Sequence, residues 1–154
     1  MAELSPVDHD TYSDDYIKRI LSETRIIAMV GASADKTKFS YGVLRVLHET
    51  GYDMIPVNPR PDVEEIRGIK VYNSLAEIDR PVDMGEGFRR AEDLPSIARE
   101  AVDIGAKVLW GQINVTHPDA AKIAEDAGMQ VVMNRCPKIE LFRPFWKPKL
   151  HLTI

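Results

Sequence analysis

The chain has 154 residues, of which 44% are apolar and 29% are charged, so it is long enough for one well-buried core and too short for two ordinary domains; we expect a single domain over residues 1–154. Its 24 acidic and 20 basic side chains leave a net charge of −4, which offers no broad positive field to attract nucleic acid or an anionic membrane surface. One cysteine excludes an internal disulfide framework and no apolar run approaches the ~20 residues that span a bilayer, so the composition predicts a cytoplasmic protein without a nucleic-acid or membrane partner.

The predicted elements alternate almost throughout between helices, marked by apolar residues at helical spacing, and strands, marked by short apolar runs. The first half begins with a loose N-terminal arm over 1–15 and a helix capped by Ser13 or Asp14, followed by a strand over 25–30, a helix over 41–50 and a strand over 52–57. The middle of the chain has a short edge strand over 70–72, a helical turn over 74–78, a further strand within 82–88 and a helix over 91–104. The last part has a strand over 107–110, a helix opened by Thr116 and Pro118 and closed by Gly128, a strand over 129–133 and an irregular tail over 137–154.

This alternation requires right-handed crossovers onto one sheet, and it predicts an α/β fold: a Rossmann-like three-layer sandwich with a mainly parallel sheet. In such sheets, ligands bind beyond the carboxyl ends of the strands. The loops that matter for function therefore begin at Gly31, Val57, Phe88, Gln112 and Asn134.

The loop after the first strand has the chemistry of a phosphate site. Gly31-Ala32-Ser33 leaves the strand with small side chains, and Ser40-Tyr41-Gly42 opens the next helix. Several backbone N–H groups can therefore converge on an anion such as a pyrophosphate. An ordinary strand-to-helix turn that uses glycine for its backbone freedom explains the same residues.

The end of the second strand bears on which nucleotide is bound. An acidic residue there would accept hydrogen bonds from the ribose of NAD, whereas this chain has Asn58, Pro59 and Arg60. Arg60 favours a phosphorylated ribose, as in NADP or coenzyme A, unless it is simply a solvated turn residue. The first loop also departs from Gly-x-Gly-x-x-Gly, because no glycine follows Gly31 before Gly42, and this weakens a hydride-transfer interpretation.

Five motifs in the same order make a resemblance specific. The chain resembles the small stand-alone CoA-binding-domain proteins, which are similar to the CoA-binding domain of the succinyl-CoA synthetase α subunit, a Rossmann-type fold. The motifs, which lie between Thr24 and Glu140, are Ile27-Ala28-Met29-Val30-Gly31-Ala32-Ser33, Ser40-Tyr41-Gly42-Val43, Pro56-Val57-Asn58-Pro59, Phe88-Arg89-Arg90 and Asn134-Arg135-Cys136-Pro137-Lys138.

The resemblance implies that the cofactor is coenzyme A or an acyl-CoA. Members of this family generally have no established catalytic reaction. The resemblance also implies a role for each matching segment: Gly31, Ala32, Ser33 and the turn of Ser40, Tyr41 and Gly42 hold the pyrophosphate, Val57, Asn58 and Pro59 border the adenine, Arg60 stands near a phosphate, and Phe88 and Arg89 line the next loop.

One segment departs from the family pattern, which has an apolar, acidic strand before Phe-Arg. Here the strand reads Asp83-Met84-Gly85-Glu86-Gly87-Phe88. Two glycines cost strand stability, on the order of 1 kcal/mol each against alanine. Either a ligand approaches this backbone closely or the strand is weakened.

Several basic and polar residues complete the candidate site. Arg89 and Arg90 are adjacent, so in an extended segment they point to opposite faces; we assign Arg89 to the ligand and Arg90 to exposed pairs with Glu92 or Asp93. Lys38, in the polar loop with Lys36, can screen phosphate charge, although solvated lysines are common. Gln112 can line the cleft floor, together with Trp110 unless that ring only packs in the core.

Cys136 follows the last strand and can therefore lie near the thiol end of the cofactor. Reactivity would require a lowered thiol pKa from Arg135 or Lys138, and a small buried hydrophobe is the favoured alternative. No Ser-His-acid set can be assembled and no metal is expected. The four histidines, none at metal-ligand spacing with Cys136, are His9, His48, His117 and His151, of which His117 is best explained as a residue of a helix cap.

Three hypotheses of function follow. The leading one is a binding module for coenzyme A or an acyl-CoA without catalysis of its own. The alternatives are an NADP-dependent oxidoreductase, which lacks an identifiable proton donor, and a thiol-regulated interaction protein centred on Cys136. A homodimer is a further prediction, because Phe142, Phe145 and Trp146 can cover a neighbour or this same domain.

Overall fold

Strands and helices alternate as the sequence predicts in the computed structural model, which describes residues 8–146 apart from the side chain of Phe145. The helices are α1 (Asp14–Glu23), α2 (Phe39–Thr50), α3 (Leu94–Asp103), α4 (Pro118–Asp126) and α5 (Pro137–Leu141). The strands are β1 (Ile26–Val30), β2 (Asp53–Val57), β3 (Glu65–Ile66), β4 (Ile69–Lys70), β5 (Met84–Gly87), β6 (Val108–Gly111) and β7 (Gln130–Val132). Short 3₁₀ turns lie at Leu75–Glu77, Ala91–Asp93 and Pro144–Trp146.

Five parallel strands form the main sheet in the order β2-β1-β5-β6-β7, and β3 and β4 form a small antiparallel hairpin beside it. The predicted α/β Rossmann-like fold is therefore confirmed. The strand order reverses at β1, whose neighbours are β2 on one side and β5 on the other. Pro56 is accommodated because β2 is an edge strand, where a missing backbone donor is tolerated.

Helices cover both faces of the sheet, as continuous apolar strands require. Ile27 and Met29 of β1 pack in one core with α1, α2 and Leu141 of α5. Ala28 and Val30, which alternate with them, pack in the other core with α3 and α4. No helix within residues 8–146 combines the length and the apolar character needed to cross a membrane.

The helix boundaries follow local capping chemistry. The Ser13 hydroxyl accepts the Tyr16 N–H at 3.1 Å, which confirms Ser13 as the cap of α1. Gly51 ends α2 in the left-handed region with φ 117°. His117 caps α4 by accepting the Asp119 N–H on its ring at 3.1 Å, so the cap lies one residue after the predicted Thr116.

The predicted N-terminal arm differs from the structure where the chain is described. Residues 1–7 lie outside the described residues, but Tyr12 is buried and its hydroxyl accepts the Met133 N–H at 2.8 Å. His9 adds contacts at 2.7 Å to the Tyr12 hydroxyl and 3.1 Å to the Glu125 carboxylate. The segment that begins at His9 is therefore packed rather than loose, because the Tyr12 ring is buried in the core.

The predicted irregular tail is also regular up to Trp146. Pro137 begins α5, where a proline costs nothing because a first-turn N–H has no helical acceptor. Glu140 is buried and its carboxylate accepts a hydrogen bond from Arg143 at 2.8 Å, and its backbone carbonyl accepts the Trp146 indole N–H at 2.8 Å. Residues 147–154 of the tail lie outside the described residues.

The two glycines of β5 face α3 rather than an opening for ligand. A Cβ on Gly87 would lie 2.8 Å from a Leu94 methyl group, so Gly87 allows the helix to approach the strand. A Cβ on Gly85 would meet Ala101 at 3.5 Å, which is ordinary contact. Close helix packing, not a ligand, therefore accounts for the glycine at 87.

Candidate functional site

Two clefts open at the carboxyl ends of β1, β2, β5 and β6, where the strand order reverses. The wider one encloses about 560 Å³. Its walls are Gly31, Asn58, Phe88, Arg89, Arg90 and 113–115. Reversal of strand order separates neighbouring loops and leaves a crevice between them, so the location is the one that the alternating elements predict.

The second cleft lies on the α3 side and encloses about 150 Å³. Val30 and Val57 contribute apolar surface, and Pro59 adds a rigid ring. Arg89 lines both clefts and Asp93 lines the second, so this arginine stands between the two spaces.

Gly31 forms a close junction between two loops of the site. Its φ of 101° lies in the left-handed region, and a Cβ would come within 2.3 Å of the Phe88 carbonyl oxygen. The loops after β1 and β5 therefore approach each other more closely than any side chain on Gly31 would allow.

The backbone donors at the start of this loop are already occupied. The Gly31 and Ala32 N–H groups both donate to the Val57 carbonyl, at 2.8 and 3.1 Å. The expectation that these two amides hold a pyrophosphate therefore needs correction: they tie the loop to β2. Pairing with β2 is a tertiary contact that the local sequence does not specify.

Free donors lie further along the loop. Among the described residues no hydrogen-bond partner is found for the N–H groups of Ser33, Ala34, Phe39 and Ser40. Phe39 and Ser40 are the first residues of α2, where the N–H groups have no helical acceptor and the helix dipole is positive. An anion would therefore meet its donors at this end of α2.

Short polar contacts fix the shape of the loop between the strand and α2. The Ser33 hydroxyl accepts the Asp35 N–H at 3.1 Å, and the Asp35 carboxylate accepts the N–H and hydroxyl of Thr37 at 2.9 and 2.7 Å. The hydrogen bonds from Thr37 lower the pKa of the Asp35 carboxyl. Lys38 follows as the exposed residue before α2 and makes no side-chain cap.

The remaining residues of the predicted turn differ in their surroundings. Ser40 is buried and Tyr41 is half-buried, with a long 3.5 Å contact from Arg67 to its hydroxyl. A Cβ on Gly42 would meet no atom within 4 Å, so no packing contact explains this glycine.

Asn58 positions the loops through its side chain. Its amide nitrogen donates to the Ala32 carbonyl at 2.8 Å, and its amide oxygen accepts the Arg60 N–H at 2.9 Å. Pro59 and Arg60 are exposed, and in the part of the chain that the structure describes the Arg60 guanidinium has no hydrogen bond or ion pair. Asn58 therefore acts on the first loop, and Arg60 is available to an incoming anion.

Arg90 makes the surface pairs that the sequence predicts, although Arg89 and Arg90 both line the wider cleft. Arg90 is 72% exposed and pairs with Glu92 and Asp93 at 3.3 and 3.6 Å, which confirms its assignment to surface pairs. Arg89 faces the clefts, with its Nε 3.4 Å from an Asp93 oxygen. The Asp93 carboxylate is thus the present partner of both guanidinium groups.

Sequence reasoning did not identify Phe39 as a site residue. Its ring is 55% exposed and lies 5.9 Å from the Phe88 ring, between centroids. The sequence does offer a signal for this residue, because a large apolar side chain stands immediately before Ser40. The predicted helix, however, began at Tyr41, two residues after the observed start of α2 at Phe39. Asn73, Ser74, Ile113 and their neighbours in the cleft walls carried no signal, because their loops reach the site only in the fold.

Six of the predicted cofactor residues line a cleft, namely Gly31, Val57, Asn58, Pro59, Phe88 and Arg89, and two of the others are buried beneath the surface. Gln112 is 3% exposed and Cys136 is 1% exposed, and both lie below the surface at the same edge of the sheet. Cys136 packs in the apolar core, as the favoured alternative predicts. Within residues 8–146, no group of three or more histidine, cysteine or acidic side chains is arranged to hold a metal ion.

Comparison with known proteins supplies the family. Residues 25–141 match the family described as CoA binding domain. The chain is 37% identical over 123 residues to the uncharacterized protein YneT of Bacillus subtilis, a match that covers 80% of this chain and 90% of that protein. It is 36% identical over 93 residues to the α subunit of the ADP-forming acetate–CoA ligase I of Pyrococcus furiosus, covering 58% of this chain and only 20% of that protein.

Solved structures of similar proteins share the fold of this chain. The PH1109 protein redesigned for binding superimposes with a TM-score of 0.84 at 35% identity, covering 95% of this chain and all (100%) of that one. A hypothetical protein from Pyrococcus horikoshii superimposes with a TM-score of 0.80 at 36% identity, covering 91% and 96%.

Proposed function

Because the chain belongs to the CoA-binding domain family, we propose that it binds coenzyme A or an acyl-CoA through the loop between β1 and α2 and the crevice beside it. One observation carries the proposal: the start of α2, where N–H donors are unpaired, adjoins the crevice at which the strand order reverses, because the Phe39 ring lies 5.9 Å from the ring of Phe88, which lines that crevice with Arg89. Such a crevice is where an α/β sheet accepts a nucleotide.

The diphosphate of the ligand would be held at the start of α2. The N–H groups of Phe39 and Ser40 have the geometry of a helix N-terminus, and those of Ser33 and Ala34 precede them on the loop. Backbone donors and the helix dipole together favour an anion at such a place. Lys38 would add a flexible positive charge.

The nucleotide base would lie in the smaller cleft. Val57 and Pro59 supply an apolar wall for a flat ring, and Ser74 supplies a hydroxyl at the edge of the space. Arg60, exposed and next to this wall, would meet the phosphate on the ribose.

The proposal is a binding module with a small-molecule ligand and a cytoplasmic location, and it includes no catalytic residue. No observation favours the alternative of an NADP-dependent oxidoreductase over binding of coenzyme A. A thiol-exchange function at Cys136 is disfavoured because the side chain is 1% exposed and packs among apolar residues.

Binding of coenzyme A to nucleotide-free protein tests the proposal. We expect calorimetric binding and a rise of the thermal midpoint, because a ligand that prefers the folded state stabilises it, by about 2.7 kcal/mol at a hundredfold excess over Kd. Arg89→Ala should weaken binding roughly tenfold, the effect of losing one charge-assisted contact.

Arg99→Ala is the matched control, since Arg99 is an exposed arginine of α3 that lines neither cleft, and it should bind as the wild type does. Absence of both heat and stabilisation with coenzyme A would refute the proposal. A preference for NADP in the same series would favour the oxidoreductase instead.

A further inference from the structure

Two polar side chains lie buried without partners just beneath the proposed site. Glu86 on β5 is 0% exposed and Gln112, immediately after β6, is 3% exposed. Neither carboxyl oxygen of Glu86 and neither amide atom of Gln112 has a hydrogen-bond partner among the described residues. Four unpaired polar atoms therefore lie on β5 and just beyond the end of the adjacent strand β6.

The two side chains share one face of the sheet. Glu86 is paired in register with Met29 and Trp110, and Gln112 stands two residues beyond Trp110 on the same side. Glu86 and Gln112 are therefore diagonal neighbours, within reach of one small group. Met29 and Trp110 belong to the same apolar core as Cys136 and the buried residues of α2, so the pair lies on the face of the sheet that this core covers.

An aromatic layer separates this polar pair from the wider cleft. Phe88 lies two residues after Glu86 on the same side of the extended segment, and its ring is next to that of Phe39. The Phe39 ring is more than half exposed, so it is the member of the layer with room to move. A chain entering from the cleft would pass between Phe39 and Phe88 toward Glu86.

Native proteins rarely leave a buried polar group unpaired, because its desolvation is then uncompensated. Burial raises the pKa of Glu86 to about 8, so at neutral pH its carboxyl is mostly uncharged and can both donate and accept. The Gln112 carboxamide can also do both. A hydroxyl or carbonyl group of a ligand can form hydrogen bonds with Glu86 and Gln112, whereas a hydrocarbon leaves their polar atoms unpaired. A ligand carboxylate would be unfavourable, because it would place a negative charge in the core with no cation beside it.

We propose, on the basis of the function proposed above, that Glu86 and Gln112 are the specificity-determining residues for the acyl group and select an acyl-CoA whose acyl chain carries, beyond the thioester carbonyl, a further neutral hydroxyl or carbonyl oxygen. The nucleotide stays in the clefts, and the acyl end reaches the pair past Phe39. The unpaired atoms of Glu86 and Gln112 destabilise the ligand-free protein, and hydrogen bonds to the ligand offset this loss of stability.

The binding test compares 3-hydroxybutyryl-CoA with butyryl-CoA, which differ by one hydroxyl. We expect wild-type protein to prefer the hydroxylated ligand at least about tenfold, the effect of one net hydrogen bond. Glu86→Met and Gln112→Met keep the side-chain length and should abolish the preference while leaving the affinity for coenzyme A unchanged. Gln130→Met is the control, because Gln130 begins β7 and pairs with Val108 at the opposite end of β6 from Gln112, and it should leave the preference unchanged.

Stability of the ligand-free protein gives a second readout. If the four atoms lack partners, Glu86→Met should raise the thermal midpoint, whereas a structural role for the carboxyl would make the same variant less stable. Equal affinity for the two acyl-CoA ligands, or a lowered midpoint in Glu86→Met, would overturn the inference. Failure to bind coenzyme A at all would instead overturn the proposed function, so the two failures are distinguishable.

Discussion

Single residues at the end of β1 and in β5 show how the same residue type serves different purposes. Gly31 needs both its positive φ and its missing side chain, since the Phe88 carbonyl occupies the place of a Cβ. Gly85 needs neither, because its backbone is not in the left-handed region and a Cβ there meets only ordinary contacts. A motif of glycines in the sequence therefore does not report which one the fold requires.

Alanine substitutions separate these two glycines. Gly31→Ala should destabilise the protein by about 3 kcal/mol or more, because it combines a disfavoured φ with a clash against backbone. Gly85→Ala should raise stability by about 0.4–1 kcal/mol by reducing the freedom of the unfolded chain. Chemical denaturation measures both, and equal effects of the two substitutions would contradict the geometry.

Glu86 makes stability depend on pH. Burial raises its pKa from 4.5 to about 8, so between these values the folded protein keeps a proton that the unfolded chain releases. The contribution of this retained proton to the free energy of unfolding is therefore fully present below pH 4.5. It is lost as the pH rises toward 8, at about 1.4 kcal/mol per pH unit.

Glu86→Gln is the isosteric variant that cannot ionise. The free energy of unfolding of the wild type minus that of Glu86→Gln should fall steadily from pH 5 to pH 8, as measured by denaturant titrations at each pH. A difference that stays flat over this range would show that the carboxyl is ionised in the folded protein.

At the scale of elements, the N-terminal segment covers an exposed sheet edge. β7 is the last strand of the sheet, so its outward backbone groups have no strand to pair with. The Tyr16 hydroxyl donates to the Val131 carbonyl at 2.8 Å and accepts the Val131 N–H at 3.1 Å, and the Tyr12 hydroxyl accepts from Met133. Burial raises the pKa of Tyr16 to about 12, so this hydroxyl keeps the proton it donates. Two side chains thus stand where a sixth strand would bind.

Tyr16→Phe removes both hydrogen bonds to Val131 and should lower the free energy of unfolding by about 1–3 kcal/mol. It should also increase self-association at high protein concentration, because the edge is then open to strand pairing. Denaturation and light scattering measure the two effects. Tyr72→Phe, which loses one long 3.4 Å contact to Asp79, is the control and should change neither by much.

At the scale of the whole molecule, membership of the CoA-binding domain family and superposition over nearly the full chain fix the fold, while the ligand site stays a proposal. A single domain over residues 1–154 also stays a prediction. So does the homodimer: Phe142 is 71% exposed, but the side chain of Phe145 lies outside the described residues, and sedimentation will decide the oligomeric state.

The sequence by itself determined the order of the elements, the parallel sheet and the loops that carry the site, because apolar periodicity, glycines and prolines act on neighbouring residues. It also predicted the pairs of Arg90 with Glu92 and Asp93, since these residues are close along the chain. The tertiary structure alone decided that the Gly31 and Ala32 amides pair with Val57, that Phe39 meets Phe88, and that Glu86 and Gln112 are buried together. Each of these joins residues from different strands or helices, and such contacts depend on which elements become neighbours, which no local pattern records.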